Sequence, residues 1–231
     1  MLLCSESALK HLKHKHNAAV TGNPVRSAFK CITKSEARRR LGIPDSDFFI
    51  LSFGGSLGAE KINYAVTEYM KKHAGARGLT YIHATGLSGF EKYRELSNEF
   101  SRKSPKFKIL PYIEQMPVYL SGCDVVISRS GAMTLAEICQ VCTPPILIPS
   151  PYVTDNHQFE NAKALADEGC AIILEEEKLT PQSLESAINQ LRFDRSIRKG
   201  IEGNLKNKKR ANADKKIYAE ILNTLSRCQE R

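Results

Sequence analysis

The sequence predicts an open α/β fold in which a parallel, doubly wound sheet carries helices on both faces. Two observations predict it. Short apolar runs (Phe48 to Phe53, Leu79 to Ala84, Phe107 to Leu110, Val125 to Ile127, Ile146 to Ile148) alternate with longer stretches of helical period, the pattern of βαβ units. Two of these runs break directly into small-residue turns, Gly54-Gly55-Ser56-Leu57-Gly58 and Ser128-Arg129-Ser130-Gly131, each followed by a helix-like segment. In such a sheet these turns face the ligand crevice, and a helix that starts there points its unpaired N–H groups and positive dipole end at the guest. An anion, most naturally a phosphate, is the expected guest.

Taken in order, residues 1–20 read as the end of something longer, with Ser5 to Lys15 suited to a short helix and His16 to Val20 to a short strand, neither with a partner upstream. Thr21-Gly22-Asn23-Pro24-Val25-Arg26 forbids regular structure and reads as a linker, leaving Arg26 for an anion or a carbonyl. Thr33 to Leu41 is a helix that starts at Thr33 or Ser35 and stops at Gly42. Phe48 to Phe53 is a buried strand running into the first glycine turn, where Gly54 and Gly55 allow close backbone approach and Ser56 adds a hydroxyl; the helix Ala59 to His73 supplies the dipole. Leu79 to Ala84 is the next strand and Phe90 to Phe100 the next helix. After the strand Phe107 to Leu110, Ile113 follows a strand end; its backbone could read a base edge, or it could be a plain apolar loop anchor.

A short helix, Pro117 to Gly122, precedes the strand at 125. The turn with Ser130 and Gly131 then opens the helix Ala132 to Cys142. Thr134 falls in its first turn or at its cap, within reach of a phosphate, and Glu137 three residues on could accept from a ribose diol. The same spacing fits a capping box. Asp155-Asn156-His157-Gln158, directly after the next strand, puts more polar side chains at the same sheet edge and favours a site. Beyond it come a helix from Asn161 to Glu168 stopped by Gly169, a strand from Cys170 to Leu174, and a helix Gln182 to Leu191 with Thr180 as cap and Pro181 in its first turn. The final helix, about Ala211 to Cys228, places Ile217, Ile221, Leu222 and Leu225 on one face.

Composition narrows the class. At 231 residues and 42% hydrophobic, one large domain or a domain with appendages is expected, and no apolar run approaches the ~20 residues of a membrane span. Seven cysteines, an odd number, fit reduced thiols in the cytoplasm. Cys139 and Cys142 have redox spacing but sit at a helix's far end, where nothing lowers a thiol pKa. His11, His14 and His16 lie among lysines without other ligands at metal spacing, so no metal site is expected. The net charge of +9 concentrates in the first residues, in Arg38-Arg39-Arg40 and in Lys206 to Arg210 with Lys215 and Lys216. Without Trp or a nucleic-acid module this predicts no nucleic-acid partner; an anionic membrane surface is the better guess, and a solvated face is the alternative.

Four ordered motifs, TGNPVR at 21–26, FGGSLGAEKIN at 53–63, ISRSGAMTLAEI at 127–138 and PYVTDNHQFENA at 151–162, resemble the C-terminal half of the MurG family. These are UDP-N-acetylglucosamine transferases that convert lipid I to lipid II in bacterial peptidoglycan synthesis, with the two-domain GT-B architecture of Rossmann-like halves. The resemblance implies that residues 27–231 form the UDP-GlcNAc-binding domain of an inverting, metal-independent transferase without a cofactor. It places Arg26 and Ser56 at the nucleotide, Ile113 at the uracil, Ala132, Met133, Thr134, Leu135, Ala136 and Glu137 along pyrophosphate and ribose, and Gln158 at the sugar. It also implies a cytoplasmic enzyme peripheral on the inner face of the membrane, with an undecaprenyl-diphosphate-linked acceptor. The family's N-terminal acceptor domain, with its glycine-rich loop ending in His and the catalytic groups expected there, has no counterpart in this chain, whose first residues resemble that domain's last helix and strand. A binding subunit that needs a separate acceptor-binding chain is therefore the alternative; a UDP-GlcNAc 2-epimerase would need carboxylates and a histidine at the sugar, where only His157 is near.

Overall fold

The computed structural model describes residues 1–4, 8–9, 12, 18–209 and 212–229. Its centre is a six-stranded, wholly parallel sheet of β3 (Phe48–Phe53), β4 (Leu79–Ala84), β5 (Phe107–Leu110), β6 (Val125–Ser128), β7 (Pro145–Leu147) and β8 (Ile172–Ile173), in the order β5-β4-β3-β6-β7-β8. The chain runs outward from β3 on one side and from β6 on the other, so the order reverses between these two strands. Phe53 is paired directly with Ser128, and the two turns that follow therefore leave the sheet side by side. In open α/β sheets the ligand crevice lies at such a reversal of strand order, outside the carboxyl ends of the strands.

Strand side chains alternate between two cores, as a sheet covered on both faces requires. Ile50, Tyr81, Ile109, Val125 and Ile146 join a cluster with Ile62 and Val66 of α3 (Glu60–His73), Phe100 of α4 (Arg94–Lys103), Leu184 and Ile188 of α8 (Pro181–Phe193) and Ile201 and Leu205 of α9 (Arg195–Lys208). Phe49, Leu51, Ile82, Val126 and Leu147 point the other way. They meet Phe29 of α1 (Ala28–Cys31), Leu120 of α5 (Met116–Gly122), Leu135 and Ile138 of α6 (Ala132–Val141) and Ala162 of α7 (His157–Ala166).

From Thr33 onward the expected strands and helices are found, with differences that have physical causes. The helix expected from Phe90 begins as a 3-10 turn, Phe90–Tyr93, before α4. The helix expected from Asn161 starts four residues earlier, at His157, after Asp155 and Asn156 adopt left-handed backbone. The strand expected over Cys170 to Leu174 shrinks to Ile172–Ile173 at the sheet edge. The helices α1 and α9 were not expected. In α9, Gly200 and Gly203 mask the Ile197, Ile201, Leu205 stripe, and Asp194 caps the start by accepting from the Ser196 and Ile197 N–H groups.

The helix expected over Ser5 to Lys15 falls mostly outside the described residues, as do His11, His14 and His16. Ala19–Val20 (β2), within the expected strand, does have an upstream partner, since it pairs in parallel with Leu2–Leu3 (β1). Arg38 of α2 (Lys34–Leu41) is not part of a basic surface: it is 4% exposed, donates to the Gly122, Pro44 and Asp47 carbonyls and pairs with Asp124. Buried guanidinium groups need such saturation. Its neighbours Arg39 and Arg40 pair with Glu36. In α10 (Ala213–Gln229) the expected apolar face exists, but Ile221, Leu222 and Leu225 are exposed. Among the described residues no helix is long and apolar enough to cross a membrane.

Candidate functional site

The crevice between the first glycine turn and the start of α7 has a volume of about 530 Å³ and is lined by Gly54 to Lys61, Arg129, Ser150, Tyr152, Gln158 and Glu176. Such a volume suits a small-molecule ligand. Of the sequence-predicted residues, Gly54, Gly55 and Ser56 line it from the turn and Gln158 from α7, while Arg26, Ile113, Ser130, Gly131 and Ala132 to Glu137 do not line it. Ser56 is exposed at the tip of the turn.

Two helix N-termini open at this edge. Ala59 is the cap residue of α3 and Gly131 that of α6, and neither helix has a side-chain cap among the described residues. The first-turn N–H groups of both are thus unspent, whereas α8 is closed by a capping box between Thr180 and Ser183. The capping-box reading of Thr134 and Glu137 is excluded, because Thr134 is the third helical residue of α6 and caps nothing. Ala132 and Met133 are exposed beside it, while Leu135 is buried.

Glu137, one turn further along α6, is half-buried. Burial raises its carboxyl pKa above the ordinary 4.5, opposed by Arg26, whose guanidinium lies 3.7 Å away. A carboxylate paired with a single cation at that distance keeps acceptor capacity for hydroxyl groups. Arg26 also stacks over Phe29 at 5.2 Å. Asn23 donates to the Ala132 carbonyl at 3.1 Å, so the linker is tied alongside α6.

Ser130, read as part of a phosphate-facing turn, has its hydroxyl committed elsewhere. It is fully buried and donates to the Gln158 carbonyl at 2.7 Å, while Asn161 donates to the Ser130 carbonyl at 3.3 Å. These bonds stitch α7 to the second turn and commit the Ser130 hydroxyl to the protein, leaving only backbone N–H groups of that turn for any guest. The Gln158 side-chain oxygen accepts from the Ser150 N–H at 3.0 Å, which leaves the amide's donor end for a ligand. Ile113 is 3% exposed, its side chain in the same core cluster as Phe53 and Leu135. The side chain is therefore an anchor, and a base contact there falls to the backbone.

Sequence reasoning assigned no role to Arg129 and Glu176. Arg129 donates to the Ile148 and Pro149 carbonyls at 3.2 and 3.1 Å and pairs with Glu176, which is 5% exposed and lies 3.9 Å from Lys61. Together they brace the floor of the crevice. The basic residue between two small ones in Ser128-Arg129-Ser130 was the available signal.

The family described as the glycosyltransferase family 28 C-terminal domain matches residues 49–218. The chain belongs to that family. It is 39% identical over 217 residues to the UDP-N-acetylglucosamine--N-acetylmuramyl-(pentapeptide) pyrophosphoryl-undecaprenol N-acetylglucosamine transferase of Acetivibrio thermocellus, covering 94% of this chain and 58% of that protein. The protein of the same name from Clostridioides difficile is 35% identical over 210 residues, covering 91% and 51%. The family 28 chain thus spans between half and three-fifths of these relatives' length. The crystal structure of Acinetobacter baumannii MurG superposes with a TM-score of 0.69 at 26% identity, covering 89% of this chain and 57% of that one. Anabaena Alr3699/HepE, solved with UDP-glucose, matches at TM-score 0.62 and 16% identity, covering 97% and 63%, a likeness of fold alone.

Proposed function

We propose that this chain is the donor-binding half of a transferase that moves N-acetylglucosamine from UDP-GlcNAc to the undecaprenyl-diphosphate-linked acceptor lipid I, giving lipid II. The observation that carries this reading is the pair of uncapped helix N-termini, α3 and α6, leaving the sheet side by side with Glu137 one turn along the second. In this reading the diphosphate lies between the first glycine turn and residues 131–134, with Ser56 and Thr134 hydroxyls on its oxygens. Glu137 accepts from the ribose, the Ile113 backbone faces the uracil, Arg26 lies at the nucleotide, and Gln158 donates to the sugar. The similarity to the named transferases supports the sugar and the acceptor.

Mechanistically, negative charge accumulates on the leaving UDP as its oxygen's bond to the sugar's anomeric carbon breaks and the acceptor hydroxyl oxygen, losing its proton, bonds to that carbon. Fixed N–H dipoles already aimed at that position stabilise it without reorganising. Activation of the acceptor hydroxyl and binding of its lipid diphosphate belong to the part of the relatives that this chain does not span, whether joined to it or supplied by a separate chain. Contact with an anionic membrane surface completes the proposal, through the lysines of 206–216; sedimentation with phosphatidylglycerol vesicles, lost at high salt, would support it.

Calorimetric titration of UDP-GlcNAc tests the donor assignment. Binding that prefers UDP-GlcNAc to UDP-GalNAc and weakens by roughly tenfold or more in Glu137→Ala is expected, the size of a lost charged hydrogen bond. Equal binding of the two sugars, or an unaffected variant, would remove the sugar or the ribose assignment respectively.

A further inference from the structure

The first glycine turn is held by a buried polar chain that reaches it from behind. Ser52, His83 and Asn63 are 0%, 0% and 1% exposed. They project from β3, β4 and α3 into the same interlayer space. Asn63 Nδ2 donates to the Thr85 carbonyl at 2.9 Å, so its Oδ1 is the acceptor that faces His83 Nε2 at 3.1 Å. That fixes the proton of the imidazole on Nε2. Nδ1 then accepts from the Ser52 hydroxyl at 2.8 Å, and every polar atom of the ring is satisfied in the neutral form.

The far end of this chain is where the backbone is tightest. A Cβ on Gly58 would lie 2.2 Å from the Thr85 oxygen, and one on Gly86 would lie 2.3 Å from the Gly58 nitrogen. The Leu87 N–H donates to the Ser56 carbonyl at 3.1 Å. The loop after β4 is therefore pressed directly against the turn after β3, and the carbonyl that Asn63 holds is the surface on which Gly58 rests.

We infer that His83, acting through Asn63 and the Thr85 carbonyl, is a positioning residue that sets the height of the Gly54–Gly58 turn beneath the donor's diphosphate. The inference rests on the donor reading given above. His83 touches no part of the crevice itself; it orients the Asn63 amide, which holds the ledge, and the ledge holds the turn. A displaced turn loses its contact with the diphosphate while the uracil and ribose contacts, which come from Ile113 and α6, stay in place.

The test compares UDP with uridine on the wild type, His83→Leu, His83→Gln and Asn63→Asp. Leu keeps the bulk but leaves Asn63 Oδ1 without a donor. Gln can present its amide N–H₂ where Nε2 stood. Asp keeps the acceptor and deletes the donor to Thr85. His83→Leu and Asn63→Asp are expected to weaken UDP by about tenfold, the worth of roughly one hydrogen bond, with uridine unchanged and His83→Gln close to wild type. Equal losses for UDP and uridine, or no loss, would overturn the inference. Amide exchange in the free protein gives an arm that needs no ligand: Gly58 and Leu87 N–H groups are expected to exchange faster in His83→Leu than in wild type. If the wild type does not bind UDP the donor reading falls, and unchanged exchange at those two amides would separately overturn the positioning role.

Discussion

The two turns that flank the crevice reach the same chemical end by different routes. The turn after β3 is shaped by missing side chains: Gly58 and Gly86 let two loops touch backbone to backbone, at φ values of +84° and +85°, over a buried Ser52–His83–Asn63 chain. The turn after β6 is shaped by added side chains: Ser130, Asn161 and Asn23 tie it to α7 and to the linker. Both leave the helix behind them uncapped. Helices α4, α5 and α7 also lack a side-chain cap; what sets α3 and α6 apart is that they start side by side after paired strands, each behind a turn fixed by other contacts.

Breaking the first route should cost most. Gly58→Ala puts a Cβ against the Thr85 oxygen at a left-handed φ, and a loss of about 2–3 kcal/mol is expected, read as a fall of roughly 5–10 °C in Tm for a chain of this size. The pH dependence sharpens the same contrast. Burial lowers the His83 pKa from 6.5 to about 4, so the unfolded chain binds a proton that the folded one refuses as pH falls below about 6.5. Stability is therefore fully present above that pH and declines toward pH 4, by on the order of 2–3 kcal/mol, and denaturant titrations of His83→Gln should lack that share of the decline. The second route is softer. Ser130→Ala removes the bond from the buried Ser130 hydroxyl to the part-buried Gln158 carbonyl and is expected to cost about 1 kcal/mol. Asn23→Ala removes one exposed hydrogen bond, with an expected loss of only a few tenths of a kcal/mol and a donor affinity within about threefold of wild type.

The first route was largely legible in the sequence and the second was not. Glycines after a strand announce a tight turn, and the structure has Gly54, Gly55 and Ser56 in that turn, lining the crevice. The buried chain behind them was missed because Ser52, His83 and Asn63 sit at core-facing positions of elements that read as apolar. At the second turn, Ser130 looked like a phosphate ligand because a serine beside a glycine suits both roles, and only the position of α7 shows where its hydroxyl goes. That position was misjudged, since Asp155 and Asn156 carry the left-handed backbone usually marked by glycine, and hid the start of α7. Arg38 was misread for a similar reason: a run of three arginines looks like a surface until the fold turns one of them inward toward Asp124.

Backbone amide shifts recorded during titration with UDP-GlcNAc test the central claim, that both uncapped helix ends hold one donor diphosphate. The N–H signals of Gly55 to Glu60 and of Gly131 to Thr134 are expected to move together, along one saturation curve, while the first-turn amides of α8 stay still. Movement confined to one turn, or to neither, would contradict it.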